Sequence, residues 1–330
     1  MKQNPTSAAK SRGKSGVLSV DRRISFWVFI AAAVIATVLR TYQLYADMDH
    51  NTGYYINGSI FMNYTTIFIV AAIIAIAVII HLVSSKDKVI KSCILLNPMR
   101  LKQQKLAKKI SPKAALMSLI MSALTMCEFG INAYSAVTYK DWSVVGVCIM
   151  VFQFVAAITL ISVAAGILNG GGITHPHCFF LASIPIWKTL EVCSMAMTDV
   201  TVSSYSIKIY DMFTDMAAAI FFLLTIRFFL GLEKKFTRYN MCVWGYAVAI
   251  IAAASTIPRF AMYYLLPFDG RAFIITPNIS DLGLILLPPA LVHVFWSKYE
   301  YRVMPKLNAF GRRRWVSKNL TDSGSGMKSI

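Results

Sequence analysis

The sequence predicts an all-α fold, a polytopic membrane helix bundle with eight transmembrane helices arranged as four hairpins and both termini cytoplasmic. Three observations lead there. Hydrophobic residues make up 57% of the 330-residue chain and charged residues only 15%, where an ordinary soluble domain carries about 25%; mean hydropathy is +0.58. The apolar residues gather in runs of about 20, the length that crosses a bilayer as a helix. The basic residues gather between those runs, in alternate connections, as the positive-inside rule describes.

Taken in order, residues 1–23 carry six Lys/Arg and form a basic cytoplasmic N-terminal segment. The transmembrane domain occupies 24–297. Its first span, 24–46, has no small-residue cleavage site and is expected to stay in the chain. A second span follows at 64–83. The basic cytoplasmic loop 84–113 has nine Lys/Arg; its interleaved Val, Ile and Leu suit an interfacial helix broken at Pro98 or a solvated linker. Spans three and four occupy 114–138 and 143–168. The fifth, 177–198, is the weakest in hydropathy because Lys188 and Glu191 interrupt it. Spans six to eight are 212–232, 241–265 and 281–297. The loop 233–240 carries three Lys/Arg and the tail 298–330 eight, whereas the remaining loops hold Lys140, Lys208 and Arg271, one each. Were 177–198 not to span, the tail would lie outside, so charge argues for the fifth span where hydropathy hesitates. Trp27, Trp142, Trp244 and Trp296 fall near the expected interfaces. The end of the tail, "TDSGSGMKSI", reads as disordered.

A net charge of +18 would suggest nucleic acid on a soluble protein. Here the basic residues lie in connections between spans, so the expected partners are the bilayer and anionic lipids at the cytoplasmic face, and no nucleic acid. The six cysteines provide no external disulfide framework and match no zinc spacing. "RGKSG" lacks the first P-loop glycine, since Ala8 stands there. "NGGGITHPH" at 169–177 reads as a turn between spans. No nucleophile elbow and no HExxH is present. No cofactor and no metal site are expected.

Ionisable residues inside the apolar runs carry the functional signal, because each costs about 2.5–3.5 kcal/mol at the bilayer centre on insertion scales. Every odd-numbered span has one: Arg40, Glu128, Lys188 with Glu191, and Arg259. Arg40 and Arg259 lie near outer helix ends, where snorkelling to headgroups competes with an interior role. They also share a short echo, Thr37-x-x-Arg40-x-x-x-x-Tyr45 and Thr256-x-x-Arg259-x-x-x-x-Tyr264. Glu128 is too short to snorkel far. It belongs to a stripe of Ser118, Ser122, Thr125, Glu128, Asn132 and Ser135, spaced to share one helix face. Lys188 and Glu191, three apart, can pair, and Pro185 just before them can break the helix. Three positive and two negative charges, if they converge, leave one positive charge and favour an anion. Asp47, Asp49 or Asp215, brought in from outside, would cancel that preference.

The run Arg40-x-x-Gln43 followed by Asp49-x-x-Thr52-Gly53-Tyr54 resembles a stretch found in uncharacterised multi-pass membrane proteins of bacteria. The resemblance implies a bacterial inner membrane and attaches no activity. The residues themselves lead to a transport-type or ligand-binding bundle with an outward-opening polar interior. Arg40, Glu128, Asn132, Lys188, Glu191 and Arg259 would bind an anionic small molecule or lipid headgroup, and Glu128 would carry a coupling proton. A sensor or assembly subunit, whose charges only pair helices, is the alternative; a lipid-modifying enzyme is the second. A cavity reaching Glu128 separates the first reading from a dry, fully paired cluster.

Overall fold

In lipid, each segment must satisfy its own backbone hydrogen bonds, which leaves the helix as the solution for isolated apolar runs. The computed structural model describes residues 6–47, 60–86, 112–140, 142–169, 175–197, 205–230, 237–265 and 278–295, and all its regular elements are helical. They are α1 (Thr6–Ala46), α2 (Ile60–Lys86), α3 (Pro112–Tyr139), α4 (Val144–Leu168), α5 (His175–Leu181), α6 (Ser183–Met197), α7 (Tyr205–Phe229), α8 (Thr237–Phe260, passing into a π-helical turn at Ala261–Leu265) and α9 (Ser280–Phe295). The loop 87–111 and the tail lie outside the described residues, so the expectations for them stay as they were.

Among the described residues seven stretches are long and apolar enough to cross a membrane. They include Pro176–Met197, the stretch where hydropathy is lowest. Its backbone breaks at Ala182, between α5 and α6. Pro185 explains the place: its ring has no N–H for the Leu181 carbonyl and would collide with it in a continuous helix. The chain turns tightly instead, Ala182 N–H donating to Phe179 O at 3.1 Å. Conversely α9, the expected eighth span, is described for only 16 residues, about 24 Å at 1.5 Å per residue. The sixth stretch, Ile207–Phe229, starts five residues earlier than hydropathy alone places it. That shift brings Asp211 inside.

Helix contacts trace a closed circuit: α8 packs on α9, α9 on α3, α3 on α4, α4 on α6, α6 on α7, and α7 back on α8. Helices α1 and α2 pack on each other and on α8, outside the circuit. α8 sits centrally, with 78% of its apolar window buried against 22% for α2. Small side chains allow this: Ala247, Ala249, Ala252, Ala253 and Ala254 are all buried, and small residues let membrane helices approach closely. Gly283 has the same function between α9 and α3, since a Cβ there would stand 3.0 Å from Met121 Cα. On α2 the residues Tyr64, Ile67, Val70, Ile74, Val78 and Leu82 form one exposed apolar stripe, the face a membrane helix turns to lipid.

Candidate functional site

Polar side chains from all six helices of the circuit meet inside it. On α6, Lys188 is wholly buried, and its ammonium stands 2.9 Å from Glu191 Oε2, 2.8 Å from Asp215 Oδ1 on α7 and 3.1 Å from Asp281 Oδ1 on α9. Glu191 and Asp281 accept hydrogen bonds from it, and Asp215 is held as an ion pair by proximity and charge. The Trp187 indole supports the arrangement from behind, with its Nε1–H donating to Glu191 Oε1 at 2.7 Å and its ring 4.5 Å from the ammonium, within cation–π range.

Glu128 on α3 accepts from Gln153 Nε2 of α4 at 2.9 Å and from the Ser280 backbone N–H at 2.7 Å. The second bond serves the N-terminus of α9, where backbone donors lack intrahelical partners and the helix dipole favours an anion. Asn132 extends the network by donating to Gln153 Oε1 at 3.3 Å. Lower on the same stripe, Ser118 and Ser122 donate to the Leu160 and Ala157 carbonyls of α4 at 2.9 and 2.7 Å. The stripe therefore divides: its first half ties α3 to α4, and Glu128, Asn132 and Ser135 line a cavity.

Arg259 is buried and grips Asp211 of α7, its Nη1 2.9 Å from Oδ2 and its Nη2 on Oδ1. Ser255 completes this node, its hydroxyl donating to Asp211 Oδ1 at 2.7 Å. Arg40 is also buried, with Nη1 donating to Gln43 Oε1 at 2.6 Å and its guanidinium 4.2 Å from the Tyr210 ring centroid. Adjacent α7 residues, Tyr210 and Asp211, so receive the two arginines of the sequence echo. Neither arginine snorkels.

The cavity has a volume of about 540 Å³. Its mouth lies where α3 ends and α4 begins, beside exposed Tyr139 and the α4 cap Ser143. Its floor presents Glu128, Glu191 and Asp211, its walls Asn132, Ile149 and Met195, and Lys208 also lines it. Beyond the charged floor, two turns further along each helix, Met121, Leu160, Phe222 and Leu287 are buried together. The small void in that layer, about 10 Å³, is at the lower limit for a single water.

Three expectations are corrected. Charged groups do not come from odd-numbered spans alone: Asp211 and Asp215 on α7 and Asp281 on α9 join them. The charge sum reverses, because the buried set is Arg40, Lys188 and Arg259 against Glu128, Glu191, Asp211, Asp215 and Asp281. Arg40, Arg259 and Lys188 do not line the cavity; Glu128, Asn132 and Glu191 do. The arginines are engaged by Asp211 and Tyr210, and Lys188 by its three carboxylates. Asp281 escaped sequence reasoning, and Asp215 was read only as a partner from outside, because each lies near an end of its apolar run, where a carboxylate reads as interfacial. Among the described residues no group of His, Cys, Asp and Glu has the arrangement of a metal site, and the five described cysteines are free. Comparison with family models, curated proteins and solved structures finds no match.

Proposed function

We propose that this integral membrane protein is a transport-type or ligand-binding bundle whose chamber takes a cationic small molecule, an organic solute bearing a primary ammonium group. The observation that supports the reading most is a cavity of about 540 Å³, open at one end of the bundle, with three carboxylates on its floor. Small-molecule sites are concave, mostly apolar pockets of about 300–1,000 Å³ with a few placed polar groups. Glu128, Glu191 and Asp211 outnumber Lys208 among the charged groups that line the chamber, so the anionic guest that the odd-span charges suggest is not the one the full set favours. The cluster already holds one primary ammonium, that of Lys188, and Glu191 presents the same chemistry to the cavity. Closure by apolar side chains on the far side is what a one-sided access state of a transporter requires.

Calorimetry on the purified protein in lipid nanodiscs, with n-butylammonium and glutarate as opposed probes, tests the reading. Butylammonium binds, and Glu191→Gln weakens it roughly tenfold or more, the value of a charge-assisted hydrogen bond of about 1.5–3 kcal/mol. Binding of glutarate without butylammonium would reinstate the anion. A helix-assembly role is the second reading, supported by the complete pairing of Arg259 with Asp211 across α8 and α7; under it neither probe binds.

A further inference from the structure

We propose that the chamber exchanges its cation for a proton, with Asp215 as the proton-carrying group and Lys188 as the coupling arm. The inference rests on the cationic-guest reading and adds what moves in the opposite direction. It starts from the buried charges among the described residues: three basic groups and five acidic ones. Two uncompensated carboxylates in the low-dielectric interior are strongly unfavourable, and protons on carboxyl groups remove that excess.

Hydrogen bonding shows where a proton belongs. Glu128 accepts two donors, from Gln153 and Ser280. Glu191 accepts from Trp187 and Lys188. Asp211 is gripped by Arg259 and Ser255. These three carboxylates are held as anions and balance Arg40, Lys188 and Arg259. Asp215 differs. It is buried, and among the described residues its only basic neighbour is the shared Lys188 ammonium and neither Oδ1 nor Oδ2 accepts a hydrogen bond. Asp281 Oδ2 beside it is likewise without a donor. The groups facing Asp215 are thus Lys188 and Glu191 from α6 and Asp281 from α9, with Asp211 one turn away on α7.

Glu191 links this group to the cavity, since it lines the chamber and bonds Lys188. A guest ammonium docking on Glu191 competes with Lys188 for that carboxylate. Lys188 then leans on Asp215. The Asp215 O–H bond breaks, its proton leaves toward the cavity past Asp211, and the carboxylate left behind pairs with the lysine ammonium. One positive charge enters and one leaves. Lys188 stays charged throughout, and coupling is reciprocal, so protonation of Asp215 expels the guest.

The experiment is calorimetry of n-butylammonium chloride binding to the full-length protein in nanodiscs, in two amine-free buffers of different ionisation enthalpy and at several pH values. About one proton is released per butylammonium bound, and affinity rises about tenfold per pH unit, as single-proton linkage requires. Asp215→Asn binds the probe with no proton release and no pH slope, while Asp215→Glu retains both. Wild-type binding without proton release overturns the exchange and leaves the chamber standing. Absence of any butylammonium binding overturns both. If Asp215→Asn does not fold, the wild-type proton count and the Asp215→Glu result decide the matter.

Discussion

Lys188 is the hub of the buried cluster: three carboxylates within 3.1 Å, an indole face, and no exposure. Removing one member of a buried ion pair leaves an uncompensated charge and costs about 3–5 kcal/mol. Lys188→Met strands Glu191, Asp215 and Asp281 together, so it is expected to destabilise by at least that much, read as a large fall in the unfolding midpoint of the protein in detergent. Adding Asp215→Asn to Lys188→Met recovers part of the loss, because one fewer carboxylate is stranded; strict additivity of the two would deny that they interact. Glu128→Gln is milder. The amide oxygen still accepts one of the two bonds, from Ser280 or from Gln153, and the other is lost at about 1–3 kcal/mol. The same chemistry explains what was readable in the sequence. Arg40, Glu128, Lys188, Glu191 and Arg259 stand out because an ionisable group in an apolar run is costly and calls for a partner or water. Gln153 and Trp187 were invisible for the opposite reason: a neutral amide and an indole raise no alarm in a membrane span, although both bind the acids directly. Asp215 and Asp281 were masked by position, and only the fold brings them to one lysine.

At the scale of single helices, two devices put those residues in reach of one another. Gly283 lets α9 lie against the backbone of α3 at Met121, which brings the Ser280 N–H onto Glu128 and Asp281 onto Lys188. Gly283→Ala places a methyl group 3.0 Å from Met121 Cα, and overpacking of this kind costs about 1–3 kcal/mol. It is expected to lower thermal stability and to weaken butylammonium binding together, because the α9 N-terminus carries Asp281. Unchanged affinity in the destabilised variant would separate helix packing from the site. The second device is the break at Ala182. Pro185→Ala restores an N–H toward the Leu181 carbonyl and favours one continuous helix. Lys188 then turns relative to Asp215 and Asp281, and affinity falls. Proline made the break legible in the sequence. The glycine contact was not, since one Gly in an apolar run carries no sign of what will approach it. The charges of the fifth stretch do not shorten it: Pro176–Met197 is long and apolar enough to cross a membrane, and Lys188 and Glu191 within it are paired.

For the whole molecule, composition alone identifies a membrane protein, and run lengths place most of the helices. The closed circuit of six helices, with α1 and α2 outside it, has no such signature, because helix partners are chosen by side chains scattered over the chain. Within the circuit α3 leads toward the cavity mouth and α4 leads away, with Glu128, Asn132, Ser135 and Tyr139 marking the way from floor to rim. Which side of the membrane that rim faces follows from charge. The segments 1–23, 84–113, 233–240 and 298–330 hold 26 of the 33 Lys/Arg, and the positive-inside rule keeps such segments in the cytoplasm. On that rule the connection 140–143 is expected to face outward, and the mouth with it. A cysteine at Ser143, on the rim, is therefore expected to react with a membrane-impermeant maleimide on intact cells. A cysteine at Asn169, at the other end of α4, reacts only after the cells are opened. The native cysteines set the background, so each variant is compared with the parent chain. The reverse labelling pattern would turn the chamber toward the cytoplasm; the bound cation would then be loaded from inside, and the exchanged proton would leave to the same side.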